Sequence, residues 1–141
     1  MSKAWITSFF HCVGFEQRME QNISNLVMPI FVPIRVLNSF DVPFIPTAFS
    51  FAIGIGVSGL SYENENILVY KFIDPSGKTI IEQEGSLKLP SDSKAFEGTM
   101  LNIQLQNVIL SEEGLYASKF FFNDELLGEY PIRVKIVKAE G

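Results

Sequence analysis

The stretch FAIGIGVSG (residues 51–59) contains three glycines at the spacing of a known phosphate-binding motif. Gly54, Gly56 and Gly59 have the spacing G-x-G-x-x-G, which in dinucleotide-binding proteins lets the backbone approach a pyrophosphate. That role needs a strand, a tight glycine turn and then a helix whose N-terminus meets the phosphates. Here the glycines lie within an alternation of large and small residues, and the following LSYENENILVY indicates a polar turn and another strand. We therefore predict that they belong to a strand and bind no dinucleotide.

This strand should have one bulky and one small face, since successive side chains of a strand point to opposite sides. The bulky face comprises Phe49, Phe51, Ile53, Ile55 and Val57, and the small face comprises Ser50, Ala52, Gly54, Gly56 and Ser58. Glycine in a strand often marks a close approach by another backbone or a ligand. We expect a neighbouring loop or the proline-containing residues 23–46 to cover the small face. A shallow groove for a nucleotide or metabolite, or a subunit contact, is the alternative.

His11 and Cys12 suggest a nucleophile beside its base. Adjacent residues on a strand project to opposite faces, however, so the two side chains cannot share a proton in one site. Acidic pairs occur at Glu63 and Glu65, at Glu82 and Glu84, and at Glu112 and Glu113. We interpret the strand carboxylates as edge charges that discourage aggregation. The sequence thus predicts no catalytic, cofactor-binding or metal-binding residue, and no enzyme.

Composition narrows the classes of partner and compartment. The 141 residues carry 11 Lys and Arg against 16 Asp and Glu, a net charge of −5, which disfavours nucleic acid as a partner. No segment approaches the roughly 18 apolar residues of a membrane helix, so no membrane association is expected. The one cysteine excludes an internal disulfide and is typical of a reducing compartment. We expect a cytoplasmic protein with one domain over residues 1–141.

Alternation with a period of two dominates the chain, whereas no segment has a helical period. It predicts a strand from Trp5 to Phe10, and others through residues 68–73, 78–84, 101–106, 116–122 and 130–136. We expect Glu16 to Asn22 to form a polar connection and residues 85–97 to form a loop. Pro29 and Pro33 restrict residues 23–36 to an edge strand or extended backbone, because proline cannot donate to a sheet ladder. DPSG (residues 74–77) should form a type I turn and NDE (residues 123–125) another turn.

About seven to eight short strands at even spacing predict an all-β fold, a single antiparallel β-sandwich. LSEEGLYASKFFF (residues 110–122) resembles the corner before the F strand of immunoglobulin-like sandwiches, where a tyrosine hydroxyl ties the loop to the strand. By that resemblance Tyr116 would be a tyrosine corner. The disulfide and core tryptophan of antibody domains are absent, so the resemblance concerns architecture.

The chain also resembles a family of uncharacterised bacterial β-sandwich proteins. The matching segments are residues 25–29, the central DPSGK (residues 74–78), and residues 114–134 with their G-x-Y, P-I and terminal valine. The resemblance implies the immunoglobulin-like fold and a bacterial or phage origin. Because that family has no settled activity, it implies no site residue.

We therefore expect a non-catalytic binding module that recognises a protein partner, or self-associates as a homo-oligomer, through end loops or a sheet edge. The candidate surfaces are residues 60–66, residues 85–97 and the apolar residues of the segment 23–44. That segment includes Val27, Met28, Ile30, Phe31 and Val32, and such exposed apolar surface favours association. Whether residues 23–46 pair with their own sheet or another chain stays open. The alternatives are a binder of a nucleotide or metabolite and a phage-encoded or immunity-associated inhibitor.

Overall fold

A computed structural model describes residues 4–21, 27–60, 65–87 and 98–138, which form nine strands and no helix. The strands are β1 (Trp5–Gln21), β2 (Val27–Leu37), β3 (Ser39–Val42), β4 (Thr47–Ser58), β5 (Asn66–Ile73), β6 (Thr79–Leu87), β7 (Gly98–Leu110), β8 (Gly114–Phe122) and β9 (Glu125–Ile136). The all-β prediction is confirmed. The nine described strands exceed the expected seven to eight, because Ser39–Val42 forms a strand that the sequence analysis did not predict.

Two sheets make up the sandwich. The four-stranded sheet has the order β2-β1-β4-β7, and the five-stranded sheet has the order β3-β9-β8-β5-β6. Every pairing is antiparallel except that of β3 with β9, which is parallel. The short strand β3 follows β2 of one sheet and lies at the edge of the other, where it pairs parallel with β9, so this one pairing departs from the expected antiparallel arrangement.

Two boundaries differ from the sequence prediction. The segment from Glu16 was expected to be a polar connection, yet β1 continues through it to Gln21 because β2 lies alongside as an antiparallel partner. Backbone pairing does not require apolar side chains where both faces of a hairpin meet solvent. Similarly, β6 continues to Leu87, which pairs with Asn66, instead of ending near Glu84.

The prolines of β2 lie where the sequence placed them. Among the described strands β2 pairs with β1 alone, so Pro29 and Pro33 belong to an edge strand. Their missing N–H groups therefore leave no central ladder incomplete. The edge-strand interpretation is confirmed, and in the described part the segment pairs with its own sheet.

The core lies between the sheets and is rich in aromatic rings. All four of Phe40, Phe51, Phe72 and Phe120 are at most 2% exposed. The rings of Phe40 and Phe51 are 4.6 Å apart between centroids, and those of Phe51 and Phe72 are 5.1 Å apart, within the range of favourable aromatic pairs. The predicted alternation of β4, β5 and β8 into the core is confirmed.

Local chemistry fixes the turns as predicted. In DPSG, the Gly77 N–H donates to the Asp74 carbonyl at 3.0 Å, and the Asp74 carboxylate accepts from the Ser76 and Lys78 N–H groups. The Ser76 hydroxyl also donates to this carboxylate. This bond has the largest effect in lowering the pKa of Asp74, and the two N–H groups lower it further. The Tyr116 hydroxyl donates to the Glu112 carbonyl at 2.8 Å, which confirms the tyrosine corner.

The hairpin between β8 and β9 turns at Asn123 and Asp124, whose φ angles of 46° and 68° are both positive. Two positive φ values are the requirement of a type I′ turn, in which Asn and Asp are favoured. The turn predicted at NDE is therefore confirmed.

Candidate interaction surface

Two of the glycines that suggested a dinucleotide site, Gly54 and Gly56, lie in the interior of β4, which runs antiparallel to both of its neighbours, and Gly59 follows the end of this strand. Ala52, Gly54 and Gly56 are buried. A Cβ atom on Gly54 would overlap the ring of Phe10 on β1, and one on Gly56 would overlap side chains at residues 7 and 8. The small face is therefore filled by side chains of the neighbouring strands. At Gly54 and Gly56 the nearest covering atoms belong to side chains of β1 and to Met100, where the sequence analysis expected a loop or the proline-containing segment.

His11 points into the core and takes part in a polar link between the sheets. Its Nε2 atom is 2.9 Å from the Ser118 hydroxyl oxygen, which is 2.8 Å from the Tyr70 hydroxyl oxygen. Burial lowers the pKa of His11 to about 4 and raises that of Tyr70. A serine beside a histidine could act as nucleophile and base, but Ser118 is completely buried, so a substrate has no access to it. The arrangement satisfies buried polar groups, and sequence reasoning missed Ser118 and Tyr70 because they are distant in sequence from His11.

Cys12 is buried and follows His11 directly on β1, so the two side chains point to opposite faces of the sheet. Its thiol donates to the Gly14 carbonyl at 3.3 Å, and burial raises the pKa of the thiol. A thiol with a raised pKa is a poor nucleophile at neutral pH. In the structure this cysteine behaves as a small core residue.

The acidic pairs serve the sheet and its turns. Glu82 lies on the edge strand β6 and forms an ion pair with Lys71 at 3.3 Å, in agreement with the edge-charge interpretation. Glu113 accepts a hydrogen bond from the Ile136 N–H at 2.8 Å, and Glu65 accepts one from the Ser86 hydroxyl. Glu63 lies outside the described residues. Within the described ranges, no three His, Cys, Asp or Glu side chains are close enough to hold a metal ion.

The outer face of the five-stranded sheet carries ion pairs between neighbouring strands. Besides the pair of Lys71 and Glu82, Lys119 lies 3.9 Å from Glu129 and Lys135 lies 3.8 Å from Asp41. Such pairs add little stability, but they keep this face hydrated. It has the character of an ordinary solvent-facing surface.

The outer face of the four-stranded sheet has a different composition. The strands β4 and β7 of this sheet contain no charged residue, and its β1–β2 hairpin carries large apolar side chains that remain about half exposed. These side chains, with Met100 of β7, are Val13 49%, Met19 60%, Phe31 56%, Ile34 45%, Val36 54% and Met100 54%. Phe31 belongs to the surface that the sequence proposed, whereas the side chains of residues 27–30 lie outside the description. We call these six residues the apolar patch.

The end of the hairpin curls over the sheet. Residues of the hairpin and of β7 line one cleft of about 630 Å³, although β4 separates β1 from β7 in the sheet. The cleft is lined by Phe15, Gln17, Phe31, Met100, Leu101, Asn102 and Gln104. We call it the outer cleft, and none of these described lining residues is charged.

A second cavity, of about 250 Å³, lies between the sheets where β6 and β7 face each other. Its walls include core residues such as Leu68, Tyr70 and Phe120, the β6 residues 83–87, and Leu101, Asn102 and Ile103 of β7. We call it the inner cavity. Leu101 and Asn102 line both spaces, so the outer cleft and the inner cavity flank the same part of β7.

Two of the surfaces expected from the sequence lie largely outside the description. Residues 61–64 of the segment 60–66 and residues 88–97 of the segment 85–97 are not described, whereas residues 85–87 belong to β6 and border the inner cavity. Sequence reasoning did not single out β7, which borders both spaces. Its sequence, GTMLNIQLQNVIL, already offered the signal, since it is a long strand with neither charge nor proline.

Comparison with known proteins identifies the family and the fold. Residues 31–135 match DUF6941, a family of unknown function, so the chain belongs to this family. The resemblance to an uncharacterised immunoglobulin-like family is thereby confirmed. No curated protein matches the chain.

Solved structures share the architecture at low identity. The chain is similar over 95% of its length to 31% of the Pseudomonas fluorescens alkylpurine DNA glycosylase AlkC bound to DNA with an abasic site analog, with a TM-score of 0.54 and 8% identity. It is also similar to an immunoglobulin-like protein from Pseudomonas aeruginosa, with 15% identity, a TM-score of 0.48, and coverage of 95% of this chain and 98% of that one. A β-glucosidase from Listeria innocua in complex with glucose matches over 72% of this chain and 15% of its own, with 9% identity and a TM-score of 0.47. The chain spans less than a third of the two enzymes, and these likenesses concern the fold alone.

The structure bears on membranes in one respect. Among the described residues, no helix is long and apolar enough to cross a bilayer.

Proposed function

We propose that this protein is a non-catalytic interaction module that binds a protein partner through the outer face of its four-stranded sheet. The observation that carries this proposal is the apolar patch. Its large side chains stay about half exposed on the same sheet whose strands β4 and β7 carry no charge. Two of these residues, Phe31 and Met100, line the same cleft, and exposed apolar surface that clusters in this way marks association sites in proteins.

Three features of the site support binding over catalysis. The buried Ser118 and His11 are inaccessible, the Cys12 thiol has a raised pKa, and the carboxylates of Glu65, Glu82 and Glu113 engage in hydrogen bonds or an ion pair. The ring of Phe10 covers Gly54, which supports a protein partner over a small ligand bound on the small face. The reduced, buried thiol suits a cytoplasmic setting, which we include in the proposal.

The test compares two double variants in capture from a lysate of the source organism. Phe31→Ser with Met100→Ser removes two members of the apolar patch, whereas Leu115→Ser with Leu126→Ser removes side chains that are 52% and 47% exposed on the other sheet. We expect a partner that is retained by the wild type and by the control, and lost by the patch variant. Both variants should keep the wild-type thermal midpoint to within a few degrees.

Sedimentation velocity from 1 to 100 μM (roughly the range over which weak dimers form) separates a partner from a second copy. We expect a monomer at every concentration. A concentration-dependent dimer that the patch variant abolishes would favour self-association instead. Equal capture by the wild type and the patch variant would contradict the proposal.

A further inference from the structure

The free edge of β7 can accept another strand. Among the described strands, β7 pairs with β4 alone, so the backbone N–H and C=O groups that point away from β4 have no sheet partner there. An edge of this kind is a template for strand addition, and proteins usually protect it with charge, proline or a short length.

The other edges of the sandwich have such protection, and β7 does not. The edge strand β2 contains Pro29 and Pro33, β6 contains Glu82 and Glu84, and β3 is only 4 residues long. In contrast, β7 has 13 residues without a charge or a proline. Its irregularity lies toward one end, opposite Phe49 and Phe51, which leaves the stretch from Thr99 to Gln104 regular.

The space beside this regular stretch suits the two sets of side chains of an added strand. A strand paired with residues 100–104 would direct alternate side chains to opposite faces of the sheet. One set would enter the inner cavity, between Leu101, Ile103 and the β6 residues. The other set would enter the outer cleft, beside Phe31 and Met100.

We propose that an extended segment of a protein partner adds to the edge of β7, with one row of side chains in the inner cavity and the other in the outer cleft. This inference rests on the proposed function and specifies how its partner binds. The residues that line the two spaces indicate the composition of this segment. Its side chains in the inner cavity should be apolar and of moderate size, and those in the outer cleft should be uncharged. A basic residue would suit the β6 side, where the exposed Glu84 lines the cavity and the net charge of the chain is −5.

A second copy of the chain fits less well than a foreign segment. If two β7 strands paired with each other, Leu101 and Ile103 of each copy would remain packed against their own core, as they do here. They would leave the inner cavity of the other copy empty. The cavity therefore favours a partner whose apolar side chains are not already in use.

The first experiment selects binders from a displayed library of ten-residue peptides in which Val, Ile or Leu alternate with Ser, Thr or Lys. The best synthetic peptide is then made with one backbone N-methyl group at each position in turn. Strand addition predicts a period of two, with binding weakened about tenfold or more (about 1.4 kcal/mol) at alternate positions only. Uniform tolerance of N-methylation, or a library without a binder, would overturn the proposal.

Two variants test each side of the strand against a matched control. Gly85 lies opposite Leu68 on the inward face of β6 and has no atom within 4 Å of an added Cβ, so Gly85→Leu should fill the inner cavity without a clash. Thr79→Leu on the same strand is its control. Asn102→Lys places a charge at the shared wall of both spaces, and Ile109→Lys, beyond the irregularity of β7, is its control.

We expect Gly85→Leu and Asn102→Lys to weaken peptide binding at least about tenfold, and the two controls to change it less than about twofold. Equal binding by all four would sink the proposal. Hydrogen exchange of the free protein provides a further test. If the amides of residues 100–104 that point away from β4 are also protected, the edge is already occupied, and this result would overturn the proposal as well. If capture of the lysate partner depends on Phe31 and Met100 but survives Gly85→Leu and Asn102→Lys, strand addition is wrong while the proposed function stands.

Discussion

The two sheets have similar inner faces and contrasting outer faces. Both present aromatic and aliphatic side chains to the core, and the link from His11 through Ser118 to Tyr70 joins them there. Outside, the five-stranded sheet carries ion pairs between strands, whereas β4 and β7 of the four-stranded sheet carry no charge. The two sheets therefore share one mode of core packing, and the strands named here differ in the charge that they present outside.

The largest expected effect concerns what the sheets share. Ser118→Val should lower the free energy of unfolding by about 2–4 kcal/mol, because both the His11 imidazole and the Tyr70 hydroxyl lose their partner in the core. Urea unfolding followed by circular dichroism measures it. The exposed Thr79→Val is the control and should change stability by less than about 0.5 kcal/mol. A loss for Ser118→Val as small as that of the control would mean that the link contributes little.

Acid should weaken the same link. The pKa of His11 is lowered to about 4 in the fold, against 6.5 when unfolded, so the unfolded chain takes up the proton first and stability falls as the pH drops from 6.5 toward 4. Between pH 7 and pH 5 we expect a loss of about 2 kcal/mol from this residue. His11→Gln should flatten that part of the stability profile. Equal slopes for the variant and the wild type would show that other groups govern it.

The filled small face of the four-stranded sheet gives a smaller effect. Gly54→Ala should destabilise the protein by about 1.5 kcal/mol, because the new methyl group overlaps the Phe10 ring. In the background of Phe10→Leu, the same change should cost less. A double-mutant cycle by thermal or urea unfolding measures this coupling. Additive effects would mean that Phe10 does not cover Gly54.

The smallest effect belongs to the charged face of the five-stranded sheet. Lys71→Met removes an ion pair to Glu82 and a cation 5.0 Å from the centre of the Phe121 ring, and should change stability by less than about 1 kcal/mol. Because salt screens exposed charges, the difference should shrink between 0.05 and about 0.5 M NaCl. An effect as large as that of Ser118→Val would remove the contrast between the inner link and the outer face.

The sequence predicted those features whose cause is local. The proline at the second position of DPSG, the tyrosine at the corner and the period of two in β4, β5 and β8 each depend on residues a few positions apart. Long-range features were harder to predict. Except for Met19, residues 16–21 are polar, and pairing with the partner strand β2 makes them a strand.

By itself, the sequence determined that this chain forms a sandwich of strands with an aromatic core, because alternation and turn residues act through neighbours in the chain. Three features become visible only in the folded structure. Phe10 fills the small face at Gly54, Ser118 joins His11 to Tyr70, and two spaces flank the uncharged strand β7. Each of these depends on which strands become neighbours. The order of strands in each sheet depends on how the whole core packs. Alternation with a period of two shows which side chains share a face of a strand, but it would look the same for any order of the strands.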